Sequence, residues 1–293
     1  MKTADDNPFF LFLHMWDVHY DYIPPKKYID MFDPNYAGTV NAKNFMWNKA
    51  IHRNMPKRDL QHIIALYDAE IRFTDDILGK ILTELGRYDR RQQTLIVITA
   101  DHGEEFFEHK GKGHNRTLYD EVVRVPLIFY WPGHFKEGRE LKEQVRLIDI
   151  MPTILGLASV QLNTKVQGHD ISGLLQGGQS LEHPALCELM SDGRQYQALR
   201  NKQNKVVVNG RTKTQKYFDL LKDPGEQNPV TKMNSEFQQA MIKLTAITRE
   251  SMLFRKHLLG PQADRKSKLD KKVKQRLHSL GYIDDDTNNT EQN

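Results

Sequence analysis

Three short runs of uninterrupted apolar residues constrain this chain most: 9–13 (FFLFL), 94–100 (TLIVITA) and 125–131 (VPLIFYW). Apolarity without alternation belongs to strands covered on both faces, as in a parallel sheet. Between the first two runs, residues 59–85 carry Ile63, Tyr67, Ile71, Leu78, Ile81, Leu82 and Leu85 at helical spacing. That stripe predicts a long amphipathic helix laid on a core. Strand, helix, strand in this order predicts a right-handed crossover, hence an α/β domain with a mostly parallel sheet flanked by helices.

After Pro152 the texture changes. From 186 to 221 the short pieces ALCELM, YQALR, KVVVN and KYFDLL alternate with the turn signals Asp192-Gly193 and Asn209-Gly210. This pattern predicts a small antiparallel sheet. KDPGEQNP (222–229) is a turn-rich stop, and 236–257 reads as an amphipathic helix. The expected organisation is 1–160 for the α/β part, 161–235 for the small sheet subdomain and 236–293 for a helical basic tail.

Charge excludes less than it first suggests. The net charge is +4, but residues 255–276 hold nine Lys or Arg against Asp264 and Asp270, which leaves the rest near −3. A basic tail of this kind reads as a solvated helix face, so no nucleic-acid partner is expected. No run of about 18 apolar residues occurs, so no membrane span is expected. The opening MKTADDNPFF lacks the pattern of a signal peptide. Cys187 is the single cysteine, which rules out an internal disulfide framework and a cysteine-only zinc site. It reads as a small core residue.

Ligands of open α/β sheets bind beyond the carboxyl ends of strands. There, FFLFL releases His14, Met15, Trp16, Asp17, Val18 and His19, and TLIVITA releases Asp101, His102, Gly103, Glu104 and Glu105. Parallel strands would put both groups on one rim. Asp101 and His102 offer an oxygen and an imidazole to a divalent cation, with Gly103 permitting the sharp turn both would need. Capping of a following helix by Asp101, with His102 in solvent, fits the same residues. In 104–121 the glycines alternate with Lys112 and His114, a loop able to bring cations to an oxyanion or merely a solvated loop. His109 has only the solvated reading. Tyr20, Tyr22, Tyr28, Phe32, Tyr36 and Trp47 could rim a sugar or aryl site, or pack a long loop onto the domain.

Residues 94–133, TLIVITADHGEEFFEHKGKGHNRTLYDEVVRVPLIFYWPG, resemble the carboxyl-terminal metal and substrate block of the sulfatases, within the alkaline phosphatase superfamily. Residues 9–25 are similar to that family's histidine loop, and 66–82 to the helix between. Residues 198–229 resemble its carboxyl-terminal subdomain, and RLHSLGYI (276–283) its last helix. The resemblance implies an incomplete sulfatase α/β domain with a small antiparallel α+β subdomain, and hydrolysis of sulfuric esters. The implied cofactor is a divalent cation, Ca²⁺ first with Mg²⁺, Mn²⁺ or Zn²⁺ as alternatives, held by Asp101 and His102. His19 would assist leaving-group departure, and Lys112 or His114 would meet the ester oxygens. His102 stands where many sulfatases have Asn, which keeps phosphoester chemistry open as an alternative. A non-catalytic binder of anionic glycans is the third reading.

The family's formylglycine arises in a Cys/Ser-x-Pro/Ala-x-Arg motif, and this sequence contains none. Two further Asp ligands of the family also have no counterpart, because Asp5-Asp6 precede the wrong strand. No turnover by residues 1–293 alone is therefore expected. The partner class implied is a sulfated small molecule or glycan. The residues themselves leave the compartment open, whereas the resemblance implies a periplasmic or secreted protein.

Overall fold

The computed structural model describes residues 7–260 apart from 89, 136–137, 180–182 and 192. Asp5-Asp6, Asp192, most of the basic tail and 276–283 lie outside the described residues. The chain divides into two units, 1–244 and 245–293; the described part of the second is the later portion of one helix.

In order come α1 (Lys26–Phe32), α2 (Lys57–Arg87), β1 (Ile96–Thr99), β2 (Glu105–Phe106), β3 (Lys112–Gly113), α3 (Asp120–Val123) and β4 (Leu127–Tyr130). Then follow α4 (Ile150–Leu157), α5 (Ser172–Leu175), β5 (Ala185–Ser191), β6 (Arg194–Arg200), β7 (Asn204–Asn209), β8 (Gln215–Asp219) and α6 (Ser235–Leu259). Among the described residues no helix is long and apolar enough to cross a membrane.

The long helix forms as its periodicity demands. Pro56 sets up its first turn, and Asp59 and Arg87 complement its two ends. Only its first half is core. His62, Ile63, Leu66, Ala69 and Glu70 are buried, whereas Ile71 is exposed and Leu78, Ile81, Leu82 and Leu85 are half-buried. The reason lies in what covers it: Tyr22, Phe45, Ile51, Met55 and Phe106 gather against Ile63 and Leu66 as one core cluster. That packing places the 18–55 segment and the β2–β3 hairpin on the same side of α2.

Two strand expectations need correction. Residues 9–13 form no ladder among the described strands, and Phe10 and Phe12 are about four-fifths exposed. A strand is a property of a pair of chains, and apolarity alone cannot supply the neighbour. β1 and β4 pair antiparallel, with Ile96 opposite Tyr130 and Thr99 opposite Leu127. The connection between them holds a small hairpin and one short helix, without the crossover helix that parallel neighbours need. No ladder among the described strands is parallel.

The carboxyl-terminal sheet follows the sequence closely. β5, β6, β7 and β8 form an antiparallel meander in chain order, and Ala198 sits opposite both Cys187 and Val207. One face buries Ala198, Val207 and Phe218 against Leu118 and Leu220, with Tyr119, Val123 and Cys187 at the margin. Burial pushes the Cys187 thiol up, which suits a core residue. On that same face Lys205 is fully buried, 3.0 Å from Asp120 and 2.9 Å from Glu226. Arg200 forks onto Asp120 at 2.8–3.0 Å. Burial alone would raise the Asp120 carboxyl, but Arg200 and Lys205 outweigh it and hold it below the ordinary range. The meander is thereby ion-paired to Asp120 of α3 and to Glu226 in the loop after β8.

Candidate functional site

Three imidazoles meet although the strands expected to align them are not paired. Ring centroids of His102 and His114 are 3.8 Å apart, of His19 and His114 5.1 Å, and of His19 and His102 6.4 Å. His19 arrives on the 14–22 loop, wedged between Trp16 and Tyr20 at 4.8 and 4.3 Å. Its Nδ1 lies 2.6 Å from the Tyr20 carbonyl. Nδ1–H therefore donates there, and Nε2 carries the lone pair. Burial lowers the His19 pKa, partly opposed by that hydrogen bond, with His114 adding to the lowering. Neutral imidazole is the resting form at pH 7.

His102 leaves β1 through a turn that Gly103 makes possible by close approach. A Cβ on Gly103 would stand 2.1 Å from the Glu121 carbonyl oxygen, and its N–H donates to Val122 at 2.7 Å. No helix follows Asp101, so the capping alternative falls away; its Oδ1 accepts the His102 N–H instead at 3.0 Å. His102 Nδ1 is 2.9 Å from the Gly103 carbonyl, which fixes the tautomer and leaves Nε2 as acceptor, 3.7 Å from Asp101 Oδ1. One carboxylate oxygen and one imidazole nitrogen at that separation fit adjacent corners of a divalent-cation shell. They are two donors only. Among the described residues no group of three or more His, Cys, Asp or Glu is placed to hold a metal.

His114 is buried and anchored by a residue that sequence reasoning had left without a role. Its Nδ1 is 3.1 Å from Glu104 Oε1, and Tyr22 donates its hydroxyl to Glu104 Oε2 at 2.5 Å. Burial and the Glu104 charge push the Tyr22 pKa far up, so the phenol stays a donor. Glu104, itself buried, fixes the orientation of His114, whose ring also stacks on Tyr20 at 5.0 Å. Gly113, at φ +81°, makes the close turn between Lys112 and His114. A side chain there would also meet the Met46 sulfur.

Lys112 does not join the imidazoles. Its ammonium donates to the carbonyls of Phe45 at 2.7 Å, Ile51 at 2.8 Å and Asn48 at 3.3 Å. All three donors are committed to the 44–51 loop. His109 also departs from expectation, because it is no solvated residue. It stacks on Tyr119 at 3.5 Å, faces Glu121 at 2.6 Å and lies 3.0 Å from the Glu226 carbonyl. Glu105, fully buried, accepts the N–H groups of His109 and Gly111. The paired acids directly after the β1 turn, followed by glycines, were the only signal in the sequence for these anchors.

This constellation can orient His19 and His114 at an ester and present a two-donor corner to a cation. Comparisons with known proteins give the family and the fold. The N-sulphoglucosamine sulphohydrolase carboxyl-terminal model matches residues 108–251. The chain is 24% identical over 237 residues to an ulvan-active sulfatase of Formosa agariphila, covering 78% of this chain and 44% of that protein. Among solved structures, a 2-O GAG sulfatase superposes with a TM-score of 0.61 at 22% identity, over 70% of this chain and 45% of its own. The phosphonate monoester hydrolase of Agrobacterium radiobacter gives 0.58 at 24%, over 75% and 46%. The chain thus spans about half the length of such relatives, in an alkaline-phosphatase-like α/β fold. The sulfatase family model itself matches residues 1–160, the stretch that holds every imidazole of the cluster, and the chain belongs to the sulfatase family.

Proposed function

We propose that these residues form the leaving-group and metal-corner half of a sulfuric-ester hydrolase site acting on sulfated glycans. The observation that carries this is the meeting of His19, His102 and His114 within 6.4 Å, with each Nδ1 facing an oxygen. Residues 1–160 bear the site, 161–235 form the subdomain clasped to α3, and 236–293 form the tail. Asp101 and His102 supply two ligands to a divalent cation, Ca²⁺ by family preference. What a bound cation supplies there is withdrawal of charge from the ester oxygens. His114, rather than Lys112, meets those oxygens, because Lys112 is committed to carbonyls. His19 Nε2, once protonated, gives its proton to the departing oxygen, a contribution of roughly 10²–10⁴-fold.

The sequence holds no residue in the motif that yields formylglycine, so no nucleophilic step is assigned to it. Purified residues 1–293 are expected to bind Ca²⁺ weakly, to lose that binding in Asp101→Ala, and to show no aryl sulfate turnover. Hydrolysis by this chain alone, lost in Asp101→Ala, would sink the half-site reading. A longer polypeptide that contains these residues and the nucleophile motif should hydrolyse aryl sulfate in preference to aryl phosphate. The opposite preference would favour a phospho- or phosphonate-ester hydrolase, the reading that His102 and the phosphonate monoester hydrolase likeness support.

A further inference from the structure

Of the six aromatics expected either to rim a site or to pack a loop, four pack. Tyr22 and Tyr28 are buried, Tyr20 lies on His114, and Tyr36 stacks on His62 at 3.6 Å. Phe32 and Trp47 are exposed, Trp47 the more so at 79%. Leaving an indole in water forgoes the burial of a large apolar face. It stands on an open hollow of about 440 Å³ lined by Asn41, Lys43, Asn44 and Asn48.

That hollow is held by a fixed frame. Asp21 accepts the main-chain N–H groups of Asn44 and Phe45 at 2.5 and 2.8 Å. Asn48 donates its amide to the carbonyls of Lys43 and Asn41 and accepts the Ala50 N–H. Lys112 clamps the carbonyls of Phe45, Asn48 and Ile51 from the other side. Phe45 beneath it is fully buried and stacks on Tyr20, the ring that covers His114. Met46 rests against Gly113, the residue next to His114. The platform and the histidine cluster are therefore built on one rigid unit.

We propose that Trp47, Asn44 and Lys43 form a carbohydrate subsite for a sulfated or otherwise acidic sugar residue. A pyranose has one face of C–H groups and a rim of hydroxyls. The flat indole accepts the first, and side-chain amides match the second. Lys43 supplies a charge for a sulfate or carboxylate without the fixed fork of an arginine. The volume suits one or two sugar rings. Rigidity matters because a loop already ordered loses little entropy on binding. The subsite rests on and deepens the sulfated-glycan reading.

The test uses the full 293-residue chain and a chondroitin 6-sulfate tetrasaccharide beside its desulfated counterpart, by calorimetry. Trp47→Ala should weaken binding of both at least tenfold with an unchanged denaturation midpoint, since the side chain is exposed. Lys43→Ala should weaken only the sulfated ligand, by about two- to fivefold. His114→Ala separates the two proposals. If it leaves tetrasaccharide binding intact while Trp47→Ala removes it, the subsite stands even should the ester-site reading fail. Equal affinity of wild type and Trp47→Ala overturns the subsite. A protein rather than a sugar retained through Trp47, with no tetrasaccharide binding, overturns it too.

Discussion

Glu70 should make this protein lose stability as pH rises through neutrality. It sits on the core face of α2 at 4% exposure; one oxygen accepts the Ile23 N–H at 2.7 Å and the other has no hydrogen-bond partner among the described residues. Burial pushes its pKa from 4.5 to about 8, and Asp17 and Asp21 on the adjoining loop add to the rise. Tyr22 and Tyr67 face it from the core and stay neutral. A pKa raised in the folded state means the folded state holds the proton longer. The associated stability is complete below pH 4.5 and drains away up to about pH 8. At 1.36 kcal/mol per pH unit, the whole effect is about 5 kcal/mol. Glu70→Gln keeps an acceptor for Ile23, places an amide at the orphaned oxygen and cannot ionise. Urea denaturation of both proteins at pH 5, 6, 7 and 8 should therefore show the variant gaining about 3–4 kcal/mol on wild type across that range. The midpoint difference should grow by about 1 M urea. Curves that stay parallel from pH 5 to 8 would refute the claim that the carboxyl is held protonated by burial.

Three further outcomes are expected. Lys205→Met leaves Glu226 and Asp120 buried with one cation fewer, and should cost about 3–5 kcal/mol; the double variant with Glu226→Gln should recover part of it, measured by the same denaturation. Gly103→Ala puts a methyl group 2.1 Å from the Glu121 carbonyl and should disorder the turn that presents His102. Its signature would be amide-exchange protection lost at 101–104 ahead of the meander, and unchanged protection there would count against the tight approach. Glu104→Ala removes the shared acceptor of Tyr22 and His114 at about 1–3 kcal/mol. It should also mix the His114 tautomers, visible in two-bond nitrogen–proton correlations of the imidazole, whereas a single unchanged tautomer would exclude Glu104 as its anchor.

Much of the architecture can be read along the chain. The α2 helix follows from a 3.6-residue stripe, and the meander from short β-rich pieces between Asn-Gly and Asp-Gly turns, because both signals are local. His19, His102 and His114 stand out as ionisable groups released after apolar runs. The pairing of 9–13 and the direction of β1 against β4 are not legible in the sequence, for one reason. Apolarity reports burial, whereas a ladder needs a named neighbour across space.

The site divides in the same way. The residue types of the proposed site, and the membership of the chain in its family, are properties of the sequence alone. Only the tertiary structure decided that Lys112 serves a loop, that His109 is an internal strut and that Glu104 aims His114. Each of those roles depends on a partner 10 to more than 100 residues away. Lys112 and His114, two residues apart, diverge because one finds three carbonyls and the other a buried carboxylate. A charged side chain takes its function from whatever compensates its desolvation, and that partner is chosen by folding.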